Sequence, residues 1–310
     1  MLDGVRHQYG FAINAERVTS EYLLVYRATK PQQWFSRTYD EKTQLDNYEF
    51  SSYLTGPRKL WQESTRSNAL FLSTAVQLNS ELLRPVFQWI TEKIVFFGAG
   101  LLPEAQYTTE LLKDTETKLA VMEFLRAADV GISDLTVVPR KGFMQQITIH
   151  PGGGIAQLNR EERESLAPQF VHQTSSGSAT FELHEESQGT QRLFVMAAPV
   201  LDVLRNGRVL VVDELDSSLH TLLVRQLVGM FHNPEINTHG AQLIFSTHDT
   251  SLLDQSLFRR DQIWFTEKLA SHATALFPLS DFSPRKGEAL ERGYLSGRYG
   301  ALPLLDFPQH

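Results

Sequence analysis

The sequence contains no cysteine. Disulfides and thiolate metal sites are therefore excluded, and the chain suits a reducing compartment such as the cytoplasm. No run approaches the roughly 18 consecutive apolar residues of a membrane span, so no transmembrane helix and no membrane partner are expected. The opening Met1-Leu2-Asp3-Gly4-Val5-Arg6 lacks an apolar core, so no secretory signal is expected there. A basic excess is missing as well: 29 Lys and Arg stand against 36 Asp and Glu, a net charge of −7. Stretch 209–224 holds neither Lys nor Arg, and elsewhere basic residues form only short pairs such as Arg259-Arg260 and Arg285-Lys286. Nucleic-acid surfaces normally show a basic stripe, so charge lends that partner no support and the pairs read as solvated surface. His-Glu-x-x-His and Gly-x-Ser-x-Gly are absent too, leaving zinc-protease and α/β-hydrolase readings without a basis.

What remains is a 310-residue chain, 42% hydrophobic, long enough for one large domain or two modest ones. The first sixty residues are β-rich: Gln8–Asn14, Tyr22–Ala28 and Gln33–Tyr39 mix aromatic and β-branched residues between polar breaks. A helix is predicted over Leu82–Phe97, with Leu83, Val86, Phe87 and Ile90 at helical spacing, ended by Gly98–Pro103. A second is predicted over Thr108–Ala128, with Leu111, Leu112, Leu119, Met122 and Leu125 on one face. Short strands are expected at Leu135–Pro139, Met144–His150 and Ala179–Leu183, with Gly152-Gly153-Gly154 as a loop.

After Ser187 helix and strand alternate. Thr190–Leu204 and Leu219–Phe231 carry helical periodicity, and Pro199 is expected to kink the first. Val209–Val212, Gln242–Phe245 and Ile263–Phe265 read as strands, the first apolar throughout, as in a strand buried on both faces of a parallel sheet. The expected fold is α/β with a largely parallel sheet. It divides into a β-rich part (1–105), a helical and β-ribbon insertion (106–184) and an α/β core (185–310).

Ligands of open α/β sheets bind beyond the carboxyl ends of the strands. Val209-Leu210-Val211-Val212-Asp213-Glu214 delivers two carboxylates there, one suited to Mg²⁺ and the other to orienting or deprotonating water. A buried strand ending in a solvated turn is an equally good reading of that motif alone. Gln242-Leu243-Ile244-Phe245-Ser246-Thr247-His248-Asp249 ends a second strand in a histidine, which could bond the attacking water or simply cap a turn. Glu186-Ser187-Gln188-Gly189-Thr190-Gln191-Arg192-Leu193 opens a helix, whose unpaired N–H groups suit phosphate; taken alone, an ordinary N-cap fits it better.

Together, in this order and spacing, Ser187, Asp213-Glu214 and His248 resemble the signature motif, Walker B motif and switch histidine of ABC/SMC-like ATPase heads. Leu215-Asp216-Ser217-Ser218-Leu219-His220 resembles their D-loop. The chain is most similar to prokaryotic AAA-type ATPases with such heads, including those of anti-phage and toxin–antitoxin systems. The similarity is strong over 179–303, through Asp261–Lys268 and Gly297–Pro303, and weaker over 1–178, where Asn68–Ser73 carries it.

The resemblance implies a P-loop NTPase head using ATP and Mg²⁺. Asp213 would be the metal-associated carboxylate, Glu214 the base and His248 the switch. Ser187, Gly189, Thr190 and Asp216 would contact nucleotide, the helix-start residues reaching ATP on a partner protomer; Gln77 is a candidate for the Q-loop. A homodimer, or docking on a partner ATPase or effector subunit, is implied. Gly-x-x-x-x-Gly-Lys-Ser/Thr, the loop that cradles the phosphates, does not occur in the sequence. In the family it lies upstream of a region resembling residues 1–60, so the resemblance implies a chain that starts late, with a strand missing from its sheet and weak activity alone. Two other classes stay open: a non-enzymatic dimerisation or interaction module, and a metal-dependent nuclease using Asp213, Glu214, Asp216 and Asp249.

Overall fold

A computed structural model describes residues 1–98, 105–128, 131–149 and 155–303. The chain separates into two compact units, Met1–Ile94 and Val95–His310.

In the first unit, β1 (Arg6–Ile13), β2 (Val18–Tyr26), β3 (Gln32–Asp40) and β4 (Leu45–Phe50) form an antiparallel meander in that order. Three of these strands match the sequence expectation. The fourth, Leu-Asp-Asn-Tyr-Glu-Phe, was not expected; only alternate residues are exposed along it. Helices α1 (Arg58–Ser64), α2 (Phe71–Gln77) and α3 (Arg84–Lys93) follow. Leu23, Val25, Trp34 and Phe35 from the strands pack with Trp61, Phe71, Leu72 and Leu83.

Two charges are built into this unit. Glu21 is fully buried, and its carboxylate accepts the N–H groups of Phe71 (2.6 Å) and Leu72 (2.9 Å) and the Tyr9 hydroxyl (2.9 Å). Burial pushes its carboxyl above the usual range, against those hydrogen bonds. Arg37, 1% exposed, donates to the carbonyls of Ala69, Arg66 and Ser67 and to Asp46. Segment 66–72 is thus fastened to the sheet by buried ionisable groups whose partners are mostly backbone.

The second unit opens within strand β5 (Ile94–Phe97), whose first residue closes the first unit; this strand corrects the end of the predicted helix 82–97. The run Ile-Val-Phe-Phe is β-branched and aromatic, and it takes the extended form once Lys93 ends α3. The predicted helix 108–128 is two helices, α4 (Ala105–Leu111) and α5 (Thr115–Ala127). Asp114 breaks the run and caps α5, accepting the Thr117 N–H at 2.8 Å. Leu119, expected on the inner face, is 59% exposed; Val121, Met122 and Leu125 point inward.

In place of two short strands, one long β6 (Ile132–Ile149) pairs antiparallel with β7 (Ile155–Thr174), and β8 (Gly177–Glu182) adds to β7. No strand was expected over 155–174. Gly152-Gly153-Gly154, His150 and most of the Gly98–Pro103 break lie outside the described residues.

Helix α6 (Gln188–Asn206) runs through Pro199. Leu193, Phe194 and Ala197 join Val121, Leu125 and Phe170 in one cluster, while Met196, Val200 and Val203 join Leu210, Val212 and Leu227 in another. A helix apolar all round is a helix buried all round. Strands β9 (Val209–Val212) and β10 (Gln242–Phe245) are parallel, joined by the crossover helix α7 (Thr221–His232), in a sheet ordered β10-β9-β5. Ile244 on β10 is 57% exposed and Gln242, two residues before it, is exposed as well, whereas Leu243 and Phe245 pack against the core.

Parallel pairing occurs where the α/β core was expected, in the β9–β10 ladder, whereas the strand expected at 263–265 lies in an antiparallel hairpin. The described β9–β10 ladder is parallel, and the meander, the β6–β7–β8 ribbon and the hairpin of β11 (Trp264–Lys268) with β12 (Thr274–Pro278) are antiparallel. Parallel pairing needs a crossover of a dozen or more residues, and most strand connections here are too short for one. Helix α8 (Leu290–Leu295) packs with the hairpin through Phe265, Leu290 and Tyr299. Among the described residues no helix is long and apolar enough to cross a membrane.

Beyond β10 the chain is tied to α7 by Arg225, whose guanidinium donates to Asp254 at 2.6 Å. That bond, with the Ser256 N–H and hydroxyl, holds the Asp254 carboxyl down at about 2. An acid lowered on folding stabilises the fold above its ordinary value of 3.8 and loses that contribution as pH falls toward the lowered one. Unfolding free energy should therefore drop by about 1 kcal/mol through this pair as pH falls below 4, a figure discounted because the side chain is a third exposed. Urea titrations at several pH values should show that component gone in Asp254→Asn.

Candidate functional site

Strand β9 ends in Asp213 and Glu214, and β10, its parallel neighbour, ends in Ser246, Thr247 and His248. Parallel pairing in register (Phe245 opposite Val212) brings both ends to one edge. The Ser246 hydroxyl donates to Asp213 Oδ1 at 2.5 Å and accepts the Glu214 N–H at 2.8 Å. One hydroxyl thereby orients the first carboxylate and fixes the backbone of the second.

Glu214 has φ +52°, a left-handed conformation that costs a non-glycine residue about 1–2 kcal/mol. Its carbonyl accepts from Arg192 Nη2 at 2.6 Å and from the Ser217 N–H at 3.0 Å. Arg192 comes from α6 and is 9% exposed. Burial pulls its guanidinium down from its ordinary value, and the charges of Asp216 and Glu214 oppose that shift. The turn after β9 is therefore held by the serine of β10 from one side and the arginine of α6 from the other.

The side chains meet in this way. His248 Nε2 lies 3.9 Å from Glu214 Oε1, and both are open to solvent, with the His248 side chain 85% exposed. Asp216 Oδ1 accepts the His248 N–H at 3.3 Å, so it braces the histidine segment. Asp249 is turned to other work: it accepts the Thr221 hydroxyl (2.6 Å) and the N–H and hydroxyl of Ser251 (3.0 and 2.6 Å). Among the described residues no group of three His, Cys, Asp or Glu could hold a metal ion. The four-carboxylate arrangement of the nuclease reading is not assembled.

Ser187 is exposed and N-caps α6; its Oγ accepts the Thr190 N–H at 3.1 Å and meets Thr190 Oγ1 at 2.9 Å. Thr190 itself is buried. The N–H groups of Gln188 and Gly189 have no acceptor among the described residues, which is the usual state of a helix start. Gly189 packs directly on the turn that follows Glu214: a Cβ there would lie 2.9 Å from the Ser218 carbonyl oxygen. Ser218 is itself left-handed, at φ +59°. Gln77 ends α2 in the first unit and is exposed.

Arg192 and Ser246 were not singled out from sequence, although each sits inside a segment that was. Their signals were an arginine one turn into an otherwise apolar helix and a hydroxyl directly after a strand; neither pattern is specific.

A family model described as "AAA domain, putative AbiEii toxin, Type IV TA system" matches residues 1–254. No curated protein matches the chain.

The contact at Gly189 gives a testable contrast. Gly189→Ala must push back a backbone carbonyl, and overpacking of that kind costs about 1–3 kcal/mol. Gly229→Ala, inside α7 with nothing within 4 Å of its Cβ, should instead stabilise by about 0.5–1 kcal/mol. Urea midpoints of the two variants should move in opposite directions.

Proposed function

The chain belongs to the AAA-domain family whose model spans residues 1–254, and from that membership we propose that it is an ABC/SMC-like ATPase head working on Mg²⁺-ATP. The family supports a P-loop NTPase fold and nucleotide hydrolysis in general. The finer reading rests on one observation: at the ends of two adjacent parallel strands, Glu214 and His248 stand 3.9 Å apart beside Asp213.

The donors fit the metal. Carboxylate oxygens at an exposed strand end suit a hard divalent cation. Mg²⁺ keeps several waters and is usually held by one or two carboxylates together with substrate phosphates, so it needs no closed protein cage. When bound, Mg²⁺ would neutralise charge on the β- and γ-phosphates. Asp213, oriented by Ser246, would hold the metal through its water shell. Glu214 would take a proton from the attacking water, and His248 would hydrogen-bond that water or the γ-phosphate. Asp216 supports this indirectly by holding the His248 backbone.

The start of α6 offers free N–H groups at Gln188 and Gly189 and the Ser187 hydroxyl, which suit a γ-phosphate. Because Ser187 is exposed, that phosphate is best supplied by ATP on a second protomer, giving a nucleotide-bridged homodimer. The setting we propose is a cytoplasmic defence or toxin–antitoxin system, in line with the family's description.

The sequence holds no Gly-x-x-x-x-Gly-Lys-Ser/Thr loop. Each charge-assisted hydrogen bond of such a loop is worth roughly 1.5–3 kcal/mol, so the chain alone should bind ATP weakly and turn it over slowly. A non-catalytic docking module is the second reading, favoured by the exposure of Phe96 and Ile244 on the sheet β10-β9-β5; partner capture without nucleotide would support it.

Phosphate release from the purified chain separates these readings. We expect slow, Mg²⁺-dependent release that falls by about 10²-fold or more in Glu214→Gln. Release unaffected by Glu214→Gln would remove the assignment of the base. Fast release by the chain alone would remove the claim of impairment.

A further inference from the structure

The acidic edge has a counterpart elsewhere in the second unit. Ahead of α8, the loop Arg285-Lys286-Gly287-Glu288 is fastened from two sides. The Gln255 side chain donates to the carbonyls of Arg285 (2.8 Å) and Glu288 (3.3 Å) and accepts the Gly287 N–H (3.0 Å). The Glu288 carboxylate accepts the Arg285 N–H (3.0 Å), the hydroxyl of buried Tyr299 (2.9 Å) and the guanidinium of Arg298. The Arg285 N–H and the Tyr299 hydroxyl lead in holding that carboxyl below the usual carboxylate range. Gly287, at φ +79°, allows the turn.

These bonds consume the loop's backbone and its one carboxylate, and leave two cations over. Arg285 and Lys286 are exposed, and their side chains have no partner among the described residues. With Arg298 they line an open cavity of about 600 Å³, three cations against one carboxylate that is already shared by three donors. Several other arginines of this unit have a carboxylate partner of their own, Arg208 in Asp202, Arg225 in Asp254 and Arg259 in Asp261, while Arg126 and Arg260 donate to backbone carbonyls. Two neighbouring like charges on a fixed loop repel each other, and a multiply charged anion in the cavity relieves that repulsion. Arg supplies a fork and Lys a point charge, the pair of donors that phosphate oxygens accept well.

We infer that loop 285–288 is a phosphate-binding site for a polyanion, either the phosphodiester backbone of a nucleic acid or a free polyphosphate chain. The site stands apart from the carboxylate edge and does not rest on the nucleotide reading. It revises the view, drawn from overall charge, that Arg285-Lys286 is merely solvated surface. The net charge of −7 averages over the chain and conceals this cationic cavity on a loop whose backbone is fixed.

The test uses the full chain without Mg²⁺, so that the carboxylate edge repels the probe. Binding of a fluorescein-labelled short duplex DNA is followed by anisotropy, and binding of inorganic triphosphate by calorimetry. For the probe that binds, Arg285→Ala/Lys286→Ala should weaken affinity at least tenfold. If the duplex is that probe, the slope of log affinity against log salt should also fall by about 2. Both side chains are exposed and unbonded, so the melting temperature should not change. Gln255→Ala, which frees the loop without altering charge, should weaken the same binding several-fold. Loss of duplex binding identifies nucleic acid as the source; loss of triphosphate binding alone identifies free polyphosphate. Failure of both probes to bind the unaltered chain, or equal binding by the double variant, overturns the proposal. Equal binding by Gln255→Ala reduces the site to diffuse charge and overturns it as well.

Discussion

The geometry of the candidate site depends on one constraint, the left-handed backbone of Glu214. Left alone, a glutamate would leave that conformation for an extended one and take its carboxylate away from the strand edge. Three hydrogen bonds oppose the change, from Arg192, Ser217 and the Ser246 hydroxyl. Bonds to a charged donor contribute about 1.5–3 kcal/mol, enough to outweigh the strain of about 1–2 kcal/mol. The dependence is mutual. Arg192 is almost wholly buried, and a buried guanidinium without an acceptor would be strongly unfavourable. The carbonyl that the turn offers, with the nearby carboxylates of Asp216 and Glu214, is what makes that burial tolerable. Helix α6, the turn after β9 and the end of β10 therefore form one cooperative piece, and the close approach at Gly189 completes it.

Much of this piece was legible in the sequence. Strands β9 and β10 fall on Val209–Val212 and Gln242–Phe245, as read from two short apolar runs ending in polar groups. Helix α6 announced itself by periodicity and by Ser187 at its start. The bonds that set the geometry were not legible. Arg192 reaches a carbonyl 22 residues away, and a side chain bonded to a carbonyl imposes no condition on residue type at the accepting end. Ile94–Phe97 continued a helical pattern and became a strand because the same four residues satisfy both periods over so short a run. The polar stretch 155–174 gave no apolar alternation, and a ribbon held by backbone pairing needs none. Asp114 split a predicted helix through a cap that competes locally with the helical pattern around it.

The same comparison separates structural charges from chemically available ones. In the first unit Glu21 and Arg37 are hidden, and their partners are mainly backbone groups of segment 66–72. From sequence they were ordinary alternating residues of β2 and β3. Buried in this way, they hold a chain segment rather than face a ligand. At the edge of β9 and β10 the reverse holds: Asp213 and His248 are exposed and Glu214 is half-exposed; Asp213 takes one hydroxyl from Ser246, while Glu214 and His248 are anchored through their backbones. Fixing the main chain while leaving the side chain free is the arrangement expected of groups that must meet a ligand.

The second unit also sorts its charges by sign, with consequences for any phosphate that approaches it. At the edge 213–216 three carboxylates occur within four residues, and a phosphate can approach them only through an intervening cation. At loop 285–288 the cations belong to the protein, and no metal is required. One kind of ligand chemistry thus meets two opposite requirements, and dependence on Mg²⁺ tells them apart. The two regions are also joined through the chain that follows His248. Thr250 donates to Glu291 at 2.9 Å, and Gln255 clamps the basic loop. A shift of the histidine segment would strain these bonds, so the same short stretch that ends the acidic edge also sets the shape of the basic one.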